Sequence, residues 1–229
     1  MLPFMCGRFV QIADPLTIRA GIMDLDIDEA AAAAFRPRYN VAPTQDILTV
    51  LNTPVPRLTL TRWGLIPSWA RDPSMGGRMI NARAETLSEK PSFREAYRKR
   101  RCLIFADAFY EWRKGEQAKT PYLIRMKSGE PFAMAGLWDR WQDRGTGREV
   151  LSSTIVTTGA NPLVAPIHDR MPVILEPGDY ALWLAPGRQD HAALASCLKP
   201  YPPEPMEAYE VSRLVNDPRS DSPACIRPA

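Results

Sequence analysis

Cys6 stands directly behind an internal methionine, in the run Met5-Cys6-Gly7-Arg8-Phe9. If Met5 is the initiator, its removal leaves Cys6 as the first residue, with a free α-amine beside its thiol. The two groups have ordinary pKa values of roughly 7.7 to 8.0 and 8.5, so both are partly nucleophilic near neutral pH. An aldehyde meeting this 1,2-aminothiol forms an imine with the amine, and the thiol then closes a five-membered thiazolidine ring. A buried, inert thiol is the default for a cysteine taken alone. With Met1 retained, Cys6 has no free amine at all. The expectation adopted is that residues 1–5 are absent from the mature active chain.

Three other stretches carry groups that suit such a reaction. In Ala108-Phe109-Tyr110-Glu111-Trp112 a carboxylate sits between bulky aromatics. Pointing outward it is an ordinary surface charge; pointing inward it is desolvated, its pKa rises, and it becomes a general acid usable near pH 7. Ile167-His168-Asp169-Arg170-Met171-Pro172 holds one of the two histidines in the chain, next to an acid and an arginine and ahead of a stiff proline. A satisfied structural histidine competes there with a proton-transfer role. Asn81-Ala82-Arg83-Ala84-Glu85 places Asn81 and Arg83 on one side of an extended segment, or at a helix entrance. They are either a cap and a surface charge, or a pair that orients a polar reactant and clamps a phosphate.

Around these lies Arg62-Trp63-Gly64-Leu65-Ile66-Pro67-Ser68-Trp69. One tryptophan belongs to the core, and the other is a candidate platform for a nucleobase, worth about 1 to 3 kcal/mol of stacking. The basic run Arg98-Lys99-Arg100-Arg101 reads as a solvated helix end favoured by the helix dipole.

The elements that must position these residues are mixed. Asp14-Pro15 is an N-cap followed by proline, so a helix is predicted over 15–23, and the alanines of Glu29 to Ala34 form a second short one. Strands are predicted at Ile47 to Leu51, Leu58 to Trp63, Arg101 to Phe105, Phe109 to Arg113, Tyr122 to Met126, Phe132 to Leu137 and Val150 to Thr157. Helices follow from Glu176 through Leu184 and from His191 to Leu198. Strand and helix do not alternate regularly, which favours α+β over a doubly wound sheet. The 23 prolines cluster in connections such as Asn40-Val41-Ala42-Pro43, Ile66-Pro67 and Asp72-Pro73, giving stiff loops on which sites are built. Residues 216–229 read as an irregular strap and not as a second domain.

The bulk properties are those of a soluble globular chain of 229 residues, 45% hydrophobic and 24% charged. No apolar run reaches the ~18 residues of a membrane span, and no signal peptide is evident, so a cytoplasmic location without membrane association is expected. The four cysteines are dispersed and make no C-x-x-C pair, and two histidines leave little for a metal site. No cofactor is expected. A net charge of +3 permits an anionic partner without announcing one.

Taken in order, six motifs resemble a known family. They are Met-Cys-Gly-Arg-Phe, Tyr39-Asn40-Val41-Ala42-Pro43-Thr44, Arg62-Trp63-Gly64-Leu65-Ile66-Pro67, Asn81-Ala82-Arg83-Ala84-Glu85-Thr86, Arg101-Cys102-Leu103-Ile104 with Phe109-Tyr110-Glu111-Trp112, and His168-Asp169-Arg170-Met171-Pro172. The resemblance is to the SRAP family, the SOS-response-associated peptidase domain, and runs from Cys6 to about Pro223. It implies a single mixed α+β domain whose antiparallel-rich sheet curls into a pseudo-barrel with peripheral helices.

It also implies a sensor of abasic sites in single-stranded DNA that crosslinks the lesion as a thiazolidine, with lyase-like Schiff-base chemistry, during the DNA damage response. Carried over by position, Cys6 is the nucleophile, Asn81 orients the adduct, Glu111 promotes ring opening and transfers protons, and His168 assists Schiff-base chemistry and reversal. Arg8 and Arg83 hold phosphates, and Pro43 and Trp69 shape the stacking site. A monomer that associates with the nucleoid through DNA, near the replication machinery, fits this picture. Two other readings stand beside it: an autoprocessing cysteine peptidase or N-terminal-nucleophile hydrolase using the same cysteine, and a noncatalytic single-stranded DNA binder if the extension is retained.

Overall fold

The computed structural model describes residues 6–116 and 118–229; the expected loss of residues 1–5 lies outside them. The strands run in chain order as β1 (Phe9–Gln11), β2 (Asp26–Ile27), β3 (Arg38–Val41), β4 (Asp46–Leu51), β5 (Arg57–Trp63), β6 (Asn81–Arg83) and β7 (Arg101–Ala106). They continue as β8 (Ala108–Lys114), β9 (Lys119–Met126), β10 (Phe132–Gln142), β11 (Glu149–Gly159), β12 (Arg170–Pro172), β13 (Ile174–Leu175) and β14 (Met206–Glu210). The helices are α1 (Pro15–Ala20), α2 (Glu29–Ala34), α3 (Arg94–Lys99), α4 (Tyr180–Leu184) and α5 (His191–Ser196).

Two sheets organise the molecule. In the larger, β11, β10, β7, β4 and β5 follow one another as antiparallel neighbours, and β5 returns to pair in parallel with β11 at Ser152 opposite Arg62 and Ser153 opposite Trp63. That last pairing closes the five strands into a ring, the curled pseudo-barrel of an α+β fold. The second sheet has the order β14-β9-β8-β1-β3 and is antiparallel throughout.

Period-two alternation sends each strand's side chains to different cores. On β4, Leu48 and Val50 join the cluster of Ile18, Tyr97, Trp183 and Leu194 contributed by the helices. Ile47 and Leu51 join Trp63, Ile104, Met134 and Ile155, together with Phe9, Phe109 and Ile124 from the second sheet. On β8, Phe109 faces that second cluster, while Ala108 and Tyr110 face a third with Val10, Leu123, Val211 and Val215. Glu111, one residue past Tyr110, is therefore turned toward the side on which the two sheets meet.

The sequence locates most long strands within one or two residues at their N-terminal ends, though β10 and β11 extend further than predicted. Helix α1 stops at Ala20, where the Gly21 N–H bonds back to Ile18 and Arg19, and not at residue 23. The basic run needs a correction, since only Arg98 and Lys99 form the solvated last turn of α3. Arg101 is fully buried. Its guanidinium donates to the carbonyls of Trp183 at 2.8 Å, Tyr97 at 3.0 Å, Arg98 at 2.8 Å and Ala185 at 2.5 Å. The planar fork satisfies carbonyls left over at the ends of α3 and α4, and burial lowers its pKa to about 10.

Candidate active site

The pairing of β1 with β8 assembles the core of the site. Phe9 lies opposite Phe109, and the Tyr110 N–H bonds the Arg8 carbonyl at 3.0 Å. Continuing that antiparallel register backward carries the Cys6-Gly7 segment alongside Glu111. The Cys6 backbone nitrogen donates to Glu111 Oε1 at 2.6 Å. Cys6 has φ of 42°, a left-handed conformation that a side-chain-bearing residue adopts only when its surroundings hold it there.

Glu111 is 2% exposed. Desolvation raises its pKa, opposed by the positive potential of His168 and by hydrogen bonds from Cys6. The Cys6 thiol is likewise pushed well above its ordinary value, first by burial and then by the negative charge of Glu111, with Arg170 acting in the opposite direction. Cys6, Glu111, His168 and Arg170 are thus one electrostatic unit in which the thiol rests protonated.

His168 enters through a turn held by Asn161, whose Oδ1 accepts from the N–H groups of Leu163 at 3.1 Å and Val164 at 3.0 Å. The His168 Nδ1 lies 3.1 Å from the Arg170 N–H and 2.9 Å from Asp169 Oδ1. One nitrogen cannot accept from the first and donate to the second at once. The Arg170 N–H is fixed by the backbone whereas the Asp169 carboxylate is exposed, so the neutral ring accepts from Arg170 and keeps its proton on Nε2; only the imidazolium donates to Asp169.

Asn81 and Arg83 both lie on β6, which pairs in parallel with Ile155 to Thr157 of β11 and leads into a single 3-10 turn at Ala84–Thr86. The strand and the helix entrance are therefore both present. Asn81 is half-buried and Arg83 exposed. Pro43 is half-buried beside Thr44, whose N–H bonds the Trp63 carbonyl at 2.8 Å. Trp63 is the core tryptophan, packed edge-on against Phe9 with its indole N–H on the Ile80 carbonyl at 3.0 Å. Trp69 is 53% exposed, on a loop fastened by Ile66 N–H to Ser152 Oγ at 2.8 Å and Ser68 N–H to Asp139 Oδ2 at 3.0 Å.

Arg8 is engaged within the protein: its Nη1 donates to Asn40 Oδ1 and to the Val215 carbonyl, both at 2.8 Å. The structure therefore joins Cys6 to Glu111 directly and sets His168 near enough to Glu111 for a protonated ring to lower the carboxyl's pKa, while Trp69 and Arg83 stand at the surface. Sequence reading assigned no part to Arg170, Glu85, Asn40 or Asp139. Arg170 was visible as the charge beside His168, but its reach across β11 was not. Among the described residues no group of three or more His, Cys, Asp or Glu side chains is placed to hold a metal ion, and no helix is long and apolar enough to cross a membrane.

Known proteins are similar to this chain in sequence and fold. Abasic site processing protein YoqW of Bacillus subtilis (strain 168) is 47% identical over 225 residues, covering 97% of this chain and 99% of its own. Abasic site processing protein HMCES of Xenopus tropicalis is 30% identical over 224 residues, covering 84% of this chain and 66% of its own. A crystal structure of a protein from Bacteroides thetaiotaomicron matches with a TM-score of 0.86 at 33% identity, over 98% of this chain and all of that one. The pattern of the SOS response associated peptidase (SRAP) family matches residues 5–218, a span that includes Cys6, Glu111 and His168 on the strands and turns described above, and the chain belongs to that family.

Proposed function

We propose that this protein processes abasic sites by covalent capture on single-stranded DNA, through an active form that begins at Cys6. The observation that carries the reading is the 2.6 Å contact between the Cys6 nitrogen and the buried Glu111 carboxyl. The relatives' names point to the same lesion. In the active form that nitrogen is a primary amine. It adds to the open-chain aldehyde of the abasic sugar, and a protonated Glu111 donates to the departing hydroxyl, so that one water leaves and a protonated imine remains beside the Glu111 carboxylate. The Cys6 thiol then adds to the carbon of the protonated imine; its proton passes to the Glu111 carboxylate, which restores the acid, and the nitrogen keeps the one proton it already carries as the C=N electron pair returns to it and the ring closes. The raised pKa of Glu111 suits a group that must be acid in one step and base in the next.

The resting thiol is uncharged, unlike the activated thiolate of a cysteine peptidase. That favours amine-first capture over the hydrolase reading. His168, its ring oriented by the Arg170 N–H, assists imine chemistry and reversal, and Asn81 orients the adduct. Arg83, with Arg8, contacts phosphates beside the lesion; Trp69 and Pro43 shape the surface on which neighbouring bases stack.

The test is incubation of protein beginning at Cys6 with single-stranded DNA holding one abasic site. A heat-stable conjugate is expected whose intact mass equals protein plus DNA less one water, and Cys6→Ala removes it. Absence of that conjugate from the wild-type protein, or its survival in Cys6→Ala, overturns the reading. Protein retaining residues 1–5 is expected to bind DNA without forming the conjugate.

A further inference from the structure

Two segments of the site hang on opposite edges of one strand. β6, carrying Asn81, pairs with Ile155 to Thr157 of β11, and β12, entered from His168, pairs with Thr157 to Gly159 on the other side. Each is only three residues long, so few ladder bonds fix where it lies. One ion pair spans the gap between them. Arg170 Nη1 donates to Glu85 Oε1 at 2.5 Å and Nη2 to Glu85 Oε2 at 2.9 Å, the two-pronged geometry that gives the tightest arginine–carboxylate pairing. Nη2 also donates to the Thr157 carbonyl at 2.7 Å, so the guanidinium is pinned to β11 as it crosses.

The Arg170 side chain is only 13% exposed, whereas that of Glu85 is 54% exposed. At its other end the same residue holds His168, through the backbone N–H on Nδ1 at 3.1 Å. Arg170 is therefore tied by its side chain to the segment that follows Asn81 and by its backbone to the imidazole. Glu85 completes the tie, and its own pKa is lowered chiefly by the Arg170 hydrogen bonds.

We propose that Glu85 is a positioning residue for the capture reaction, which fixes the His168–Arg170 turn relative to Asn81 through its fork on Arg170. The proposal rests on the abasic-site reading above. Glu85 acts through Arg170, and its exposed carboxylate contributes little to folding on its own. What it supplies is alignment, and misalignment of reacting groups slows a bound reactant without necessarily weakening its binding.

The experiment is single-turnover crosslinking by protein beginning at Cys6, over a range of abasic single-stranded DNA concentrations, for wild type, Glu85→Ala, Glu85→Asp, Arg170→Lys and the Glu85→Ala/Arg170→Lys double variant. Glu85→Ala is expected to lower the saturated rate about ten- to a hundredfold with a near-wild-type half-saturating concentration and melting temperature. Glu85→Asp, which keeps the charge, is expected to recover part of the rate, and the double variant to lose little more than Arg170→Lys alone.

If the acid merely repels DNA, Glu85→Ala lowers the half-saturating concentration and leaves the saturated rate intact, which overturns the proposal. A loss of rate that tracks a loss of melting temperature, or fully additive losses in the double variant, also overturns it. Wild-type protein that forms no conjugate overturns the abasic-site reading and this proposal together; wild-type crosslinking with an unimpaired Glu85→Ala overturns this one alone.

Discussion

At the residue scale, the site depends on a carboxyl that the fold keeps out of water. Glu111 has its pKa raised in the folded state by desolvation, whereas in the unfolded chain it titrates near the usual value of about 4.3. Between those two values the folded state binds the proton more tightly, so stability falls as pH rises through that window and stays lower above it. Glu111→Gln keeps the shape and removes the charge. Its melting temperature is therefore expected to exceed that of wild type at neutral pH and to converge with it toward pH 4, while crosslinking is lost; melting curves across pH check this. A variant less stable than wild type at neutral pH would show that the carboxylate is stabilised in place. The segment between aromatics suggested this behaviour only if Glu111 pointed inward, and only the β8 register settles which way it points.

At the scale of elements, the loop bearing Trp69 depends on a close approach of two backbones. Gly64 has φ of 128°, and a Cβ there would lie 2.5 Å from the Gly76 carbonyl oxygen. Gly64→Ala must strain its own backbone and push that neighbour, a cost of about 1 to 3 kcal/mol or more. Chemical denaturation is expected to show this loss along with weaker DNA binding. Trp69→Ala is expected to separate the two effects, because the ring is mostly exposed. It should weaken binding of single-stranded DNA by about 1 to 3 kcal/mol and leave the denaturation midpoint nearly unchanged. The glycine and prolines of this loop were legible as a stiff connection. The Asp139 carboxylate that fastens Ser68 was not, since it comes from β10 and is itself paired with Arg100 at 3.2 Å.

At the scale of the whole molecule, the chain's end is tied to its beginning. Asn40 is fully buried; its Oδ1 accepts from Arg8, and its Nδ2 faces the carbonyls of Val215 at 3.2 Å, Asp217 at 3.0 Å and Ser220 at 2.7 Å. Asp221 accepts from the Tyr39 and Asn40 N–H groups at 2.6 and 3.0 Å and pairs with Arg38. The C-terminal segment thereby closes over Val10, Tyr110 and Leu123 and backs the strand that bears Glu111. Asn40→Ala strands several buried partners at once, and about 2 to 3 kcal/mol of stability is expected to go in urea denaturation. An unchanged midpoint would mean that the segment is held by apolar contact alone.

By itself, the sequence determined the chemistry-bearing residue types, the strands with strong apolar character and the stiff, proline-marked loops. These are local properties, set by side-chain type and period. Tertiary structure alone decided that Glu111 faces the Cys6 nitrogen, that Arg170 bridges to Glu85 across β11, that Arg101 is buried among carbonyls, and that Arg8 is held by the C-terminal segment. Each includes a partner 82 to 207 positions away, and strand register and ring closure fix such relations. The short strands β3, β12 and β14 escaped sequence reading for the same reason: ladders made with distant neighbours define them, and their own apolar pattern does not.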